Sequence, residues 1–156
     1  MLEIKGRTVV ITGGATGIGF GIAKACGALG ANVVIGEPRQ KRLDEAVASL
    51  AELGVNARAF LLDVTDAEQF AQFADSAFTA FGDVALVVNN AGVGQQRGSV
   101  VDTAETEMQR VMAVNFQGVW RGCQLFGRRL IEQGTPAAIY NTCLLYTSPS
   151  PRDTMS

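Results

Sequence analysis

Apolar residues recur along this chain in two alternating rhythms. Short β-branched runs fall at residues 7–12, 32–36, 56–62, 84–88 and 137–141, and each predicts a strand. Between them lie stretches with helical spacing, at 18–29, 40–53, 66–81 and 103–133. In the second, Leu43, Ala46, Val47 and Leu50 follow the i, i+3, i+4, i+7 pattern of one buried face. In the third, Phe70, Phe73, Ala77 and Phe81 do the same, with Thr65 or Asp66 as the N-cap. The fourth is expected to break near residues 115–118. Met108, Met112, Trp120, Leu125 and Phe126 sit at helical spacings that suit a core or a subunit interface. Strand–helix alternation of this kind predicts an α/β fold, a parallel sheet with helices on both faces. Ligands of such sheets bind at the carboxyl ends of the strands.

The chemistry of the first strand–helix junction is the most informative. Thr12-Gly13-Gly14-Ala15-Thr16-Gly17-Ile18-Gly19 joins them. Gly13 permits a sharp exit from the strand, Gly17 lets backbone approach a pyrophosphate, and Gly19 lets the helix pack closely on the sheet. The free N–H groups and positive dipole end of the helix would face the phosphates. A generic glycine-rich turn is the alternative, and the strand–turn–helix context argues against it.

Composition narrows the classes. The chain is 47% hydrophobic and 18% charged, enough apolar material for a core, and its length of 156 residues suits one domain. A net charge of −2 gives no basic footprint for nucleic acid or membrane. No apolar run reaches the roughly 18 residues of a membrane span, and the N-terminus has no secretory h-region. There is no histidine, and Cys26, Cys123 and Cys143 match no metal or redox spacing, so no metal site is expected. A reducing, cytoplasmic setting is the default expectation.

The pattern TGxxxGIG, complete at residues 12–19, resembles that of the short-chain dehydrogenase/reductase family, and the likeness continues through residue 142. It implies a Rossmann-type doubly wound sheet, here truncated after the fifth strand, and a dinucleotide cofactor. Gly13, Thr16, Gly17, Ile18 and Gly19 are then expected at the cofactor. Glu37, 24 residues after Gly13, would take the adenosine ribose hydroxyls and favour NAD over NADP, although Arg39 could instead hold a 2′-phosphate. A solvated Glu and Arg is the plain alternative. Asp63 and Val64 resemble the pair whose aspartate meets the adenine amino group; a helix-capping aspartate would look the same. Asn89-Asn90-Ala91-Gly92 resembles the family's NNAG segment. Asn90, Ala91 and Gly92 are expected beside the cofactor, and Asn89 is expected to tie neighbouring strands as well as serve the site. Asn115 in Val-Asn-Phe-Gln-Gly resembles the VNxxG segment, whose Asn is implicated in a proton relay. It is the one catalytic residue expected in this chain, unless local backbone alone satisfies it.

The family's remaining chemistry needs a Ser after the fifth strand and a Tyr-x-x-x-Lys about thirteen residues further on. The phenol needs a neighbouring cation to work near neutral pH. Here the Ser position falls on Leu144, Tyr146 has Ser150 rather than Lys four residues on, and no lysine follows Lys41. The chain as given is therefore expected to bind cofactor but not turn over. Residues 143–153, read back into codons, resemble the adapter of transposase-based sequencing libraries over eleven residues. Residues 1–142 are thus expected to be an incomplete NAD(P)-binding domain and 143–156 a non-native or disordered tail; a natural Pro/Ser-rich tail is the alternative. The parent would be an alcohol or carbonyl oxidoreductase and a homo-oligomer, with no nucleic-acid or membrane partner. A non-catalytic dinucleotide-binding module is the second reading. A methyltransferase, a third, is disfavoured by the NNAG segment. Residues 94–98 are expected to border the site without naming a substrate, and the fifth strand to form an exposed, aggregation-prone edge.

Overall fold

The computed structural model describes residues 2–95 and 99–142. Five strands form one parallel sheet: β1 (Thr8–Thr12), β2 (Asn32–Glu37), β3 (Ala57–Leu61), β4 (Val84–Asn89) and β5 (Ala138–Asn141), in the order β3-β2-β1-β4-β5. The order reverses at β1, so the connections leave opposite ways from its carboxyl end and open a crevice there. Every residue of β1 is buried, because helices cover both of its faces. Val9 and Ile11 point into one layer with Val33, Ile35 and Val88. Val10 points into the other with Val34 and Val87. The edge strands β3 and β5 keep partly exposed positions. Tyr140 on β5 is among them, as the sequence pattern anticipates for an edge.

Helices α1 (Gly17–Ala28) and α2 (Gln40–Glu52) cover the first face. α1 buries Gly19, Ala23 and Cys26, a stripe of small side chains that lets the helix axis come close to the sheet. Leu43, Ala46 and Leu50 of α2 are buried as expected, with Val47 only half-buried. Helices α3 (Ala67–Ala80) and α5 (Val119–Gln133) cover the other face. Asp66, not Thr65, caps α3: its carboxylate accepts from Gln69 N–H at 2.9 Å. Phe70, Phe73 and Ala77 are buried, while Phe81 lies just past the helix end. Phe126 of α5 meets Phe70 and Phe73 edge-on and stacks on Phe78.

The expected interruption at residues 115–118 is not a break. α4 (Glu105–Met112) runs through a π-helical stretch, Ala113–Gly118, into α5 without losing its helical path. The wider turn adds one residue and changes which side chains face inward. Met108, Met112 and Trp120 are half-exposed and are not core, whereas Phe126 is fully buried. At the far end of α5, Gln133 pins the start of β4, accepting from Val84 N–H at 2.8 Å and donating to its carbonyl at 2.9 Å. The Cys143–Ser156 tail lies outside the described residues.

Truncating Phe126 to Ala empties the centre of this aromatic cluster and should cost about 3–5 kcal/mol. Phe116→Ala, at an exposed position, should stay within about 0.5 kcal/mol of the parent. Urea denaturation of both variants checks the contrast. Equal losses would mean that Phe126 does not centre the second core.

Candidate functional site: a cleft at the carboxyl ends of the strands

The sheet's ligand-facing end is built around one close approach. Gly13 (φ +64°) turns the chain out of β1, and an added Cβ there would lie 2.9 Å from Ala91 Cα. At Gly19 a Cβ would press into the Gly13 carbonyl and come within 2.5 Å of Asn90 Nδ2. Asn90 fastens the same turn from the side: Nδ2 donates to the carbonyls of Thr12 at 3.3 Å and Gly13 at 3.2 Å. Thr12 Oγ1 in turn accepts from the N–H groups of Asn90 and Ala91, both at 3.0 Å. The ends of β1 and β4 and the start of α1 are therefore one interlocked unit.

Around it lies a cleft of about 450 Å³. It is lined by the predicted Gly13, Thr16, Ile18, Glu37, Asp63, Val64, Asn90, Ala91, Gly92 and Asn115. Gly17 and Gly19 are not in the lining. Gly19 lies beneath it as the packing contact. Gly17 (φ +55°) sits at the head of α1 with open space where a Cβ would project. Thr16, the N-cap residue, makes no side-chain cap bond. Among the described residues the first N–H groups of α1 thus have no side-chain acceptor, which suits an anion placed there. Ile18 is exposed at the same edge.

Glu37 is not a solvated strand-end residue. It is 5% exposed, and Arg42 in the first turn of α2 pairs with its Oε1 at 3.5 Å. Sequence reading named Arg39 and missed Arg42; both line the cleft with Pro38. Counting one turn into α2 from the strand end would have found it. Asp63 is not the helix cap. Its Oδ1 accepts from the N–H of Thr65 at 2.9 Å and from the Thr65 hydroxyl at 2.7 Å, and it lines the cleft beside Val64.

Asn115 is satisfied by backbone, but not by its own helix. Its Oδ1 accepts from Val93 N–H at 2.8 Å and its Nδ2 donates to Val93 C=O at 2.9 Å, so it continues the hydrogen bonding of the chain leaving β4. Asn89 is outside the lining. Its Nδ2 donates to Asn141 Oδ1 at 2.8 Å and ties β4 to β5. Its Oδ1 is buried without a hydrogen-bond partner among the described residues and faces Gly122, where any Cβ would collide with it. Val93, Gly94 and Thr142 also line the cleft and were not anticipated, apart from Gly94 as a bordering residue. Residues 96–98 and the Leu144 position lie outside the described residues.

Residues 7–147 match the family described as short chain dehydrogenase. The chain belongs to that family. A probable oxidoreductase, EphD, of Mycobacterium tuberculosis H37Rv is 41% identical over 137 residues, covering 87% of this chain and 23% of that protein. A short-chain dehydrogenase/reductase from Burkholderia phymatum, solved in complex with NAD, is 33% identical with a TM-score of 0.87, covering 92% of this chain and 50% of that one. A metagenomic short-chain oxidoreductase solved with NADP is 28% identical with a TM-score of 0.83, covering 95% and 67%. This short-chain dehydrogenase chain spans between 23% and 51% of the length of the curated relatives named first by similarity. Among its described residues no group of three or more acidic, Cys or His side chains could hold a metal, and no helix is long and apolar enough to cross a membrane.

Gly19→Ala should destabilise the chain by about 1–3 kcal/mol, because the blocking atom at Gly13 is backbone and cannot rotate away. Gly21→Ala, on the same helix with open space around it, should be neutral or gain up to about 1 kcal/mol from helix propensity. Urea melts of the two variants decide the matter. Similar stabilities would remove the close approach as the organising contact.

Proposed function

We propose that the cleft binds a nicotinamide dinucleotide, with the pyrophosphate at the head of α1, and that the parent protein is an alcohol or carbonyl oxidoreductase. The observation that carries this reading is the uncapped α1 N-terminus, with the open cradle at Gly17 set on the interlocked Gly13–Gly19–Asn90 turn. The relatives solved with NAD and with NADP support the same cofactor class. When bound, the nicotinamide supplies hydride acceptance or donation. The chain's own residues bind and orient. Gly13 and Gly17 admit the phosphates while Gly19 packs the helix beneath them, Glu37 takes the ribose hydroxyls, Asp63 and Val64 flank the adenine, and Asn90, Ala91 and Gly92 form the wall beneath the nicotinamide ribose. Asn115 serves the site by holding Val93, and a place for it in proton transfer belongs to the complete protein.

NAD is the preferred form, since a buried carboxylate at the end of β2 accepts hydrogen bonds from two hydroxyls and repels a phosphate. Arg42 partly offsets that repulsion, so the preference rests on Glu37 alone. The residues 1–142 form the cofactor-binding domain. The chain as given lacks a Tyr-x-x-x-Lys and should show no turnover; the parent is a homo-oligomer. A binding module without catalysis is the second reading, and a Ser and Tyr-x-x-x-Lys in the full-length protein would decide against it.

Titration of the chain with NADH and NADPH, followed by reduced-nicotinamide fluorescence, should give tighter binding of NADH. Glu37→Gln should weaken NADH about tenfold, the scale of a lost hydrogen bond to a charged group, and weaken NADPH less. NADPH binding as tight as NADH in the unaltered chain would hand the subsite to Arg39 and Arg42. Oxidation of any alcohol by the chain would overturn the expectation of no turnover.

A further inference from the structure

We infer that Arg121 is a positioning residue for the adenine-side wall of the cleft. The inference rests on the dinucleotide reading above and concerns a side chain that does not line the cleft. Val64 is 6% exposed and forms part of the lining. Its back rests on the junction between the π-helical stretch and α5. A Cβ at Gly118 would lie 2.8 Å from Val64 Cγ2 and 3.1 Å from its Cβ and would force Val64 to shift. Three residues further along, Arg121 reaches over and donates from Nη1 to the Val64 carbonyl at 2.5 Å.

That bond is the guanidinium's main engagement. Among the described residues no carboxylate pairs with Arg121. A charge directed at a carbonyl in a half-buried setting makes a stronger bond than a neutral donor would. On its other side the loop is fixed by Asp63, which accepts from Thr65 twice and donates its own N–H to Gln69 Oε1. The short segment from Asp63 to Thr65 is thus held by α3 from one direction and by α5 from the other. Arg121 supplies the only hydrogen bond that the described side chains make to the Val64 carbonyl.

The same helical stretch also holds the opposite wall. Asn115, six residues before Arg121, grips both backbone polar groups of Val93. Residues 115–121 therefore brace the loop after β4 with one end and the loop after β3 with the other. Loss of Arg121 loosens the second loop on its α5 side and leaves the first in place. Its effect should consequently fall on the adenine half of the ligand rather than on the whole site.

The test uses the 156-residue chain, its Arg121→Met variant, which keeps a long stem but no donor, and Arg121→Lys, which keeps charge and a donor. NADH is compared with its hypoxanthine analogue, which lacks the 6-amino donor that Asp63 would accept. Arg121→Met should bind NADH about 5- to 20-fold more weakly, the scale of one lost charge-assisted bond. It should bind the hypoxanthine analogue with a smaller loss, so the preference for adenine shrinks. Arg121→Lys should recover most of that preference. Amide hydrogen exchange at residues 64–65 should quicken in the ligand-free Met variant while exchange at Val93 stays unchanged. Parent-chain binding with an unaltered adenine preference in Arg121→Met would overturn this inference alone. A parent chain that binds neither dinucleotide would overturn the cofactor reading and this inference with it.

Discussion

The contact on which the ligand-facing end depends is the fit of Gly19 against the Gly13 carbonyl, locked by the Asn90 amide. Two backbones can come this close only where neither carries a Cβ. Because they do, the first turn of α1 stands directly over the end of β1, and its free N–H groups open into the crevice where the strand order reverses. Thr12 Oγ1 accepts from two successive N–H groups after β4 and carries the same constraint to the next strand. The small side chains of α1, Ala23 and Cys26, continue the close packing down the helix. One steric condition near residue 19 thereby sets the position of a helix, a turn and the segment after β4.

The cleft's other walls are held by side chains that span elements rather than by local turns. Asn115 ties the chain leaving β4 to the π-helical stretch, and Arg121 ties the loop after β3 to the start of α5. Gln133 pins the far end of the same helix to the start of β4. One long helical run therefore serves as a beam to which the start of one strand and two loops are attached. A π-helical turn in its middle adjusts the phase between Asn115 and Arg121. Met108, Met112 and Trp120 of the same run remain half-exposed.

Much of this was legible in the sequence, and the reasons differ by element. The strands could be read because β1, β2 and β4 are buried on both faces and are near-continuous β-branched runs. The glycine turn could be read because its spacing has a steric purpose at each position. Glu37 was placed correctly at the strand end, but its burial and its pairing with Arg42 depend on how α2 folds back, which periodicity does not encode. A break was expected near residues 115–118; Val93, twenty-two residues before Asn115, supplies that side chain with partners from outside its own helix, which sequence spacing does not show. Arg121 carried no signal, since a lone arginine on a helix is usually solvated, and only the loop across from it gives it a partner.

The proposed dinucleotide lies with its pyrophosphate over Gly17 and its adenine between Glu37 and Asp63. Backbone amide chemical-shift mapping of the isotope-labelled chain on addition of NAD tests this directly. Saturable shifts are expected at Gly13–Gly19, Glu37, Asp63–Val64 and Asn90–Gly92, with the Gln133 end of α5 unaffected. Shifts confined to other faces of the sheet, or none at millimolar NAD with the fold intact, would contradict it.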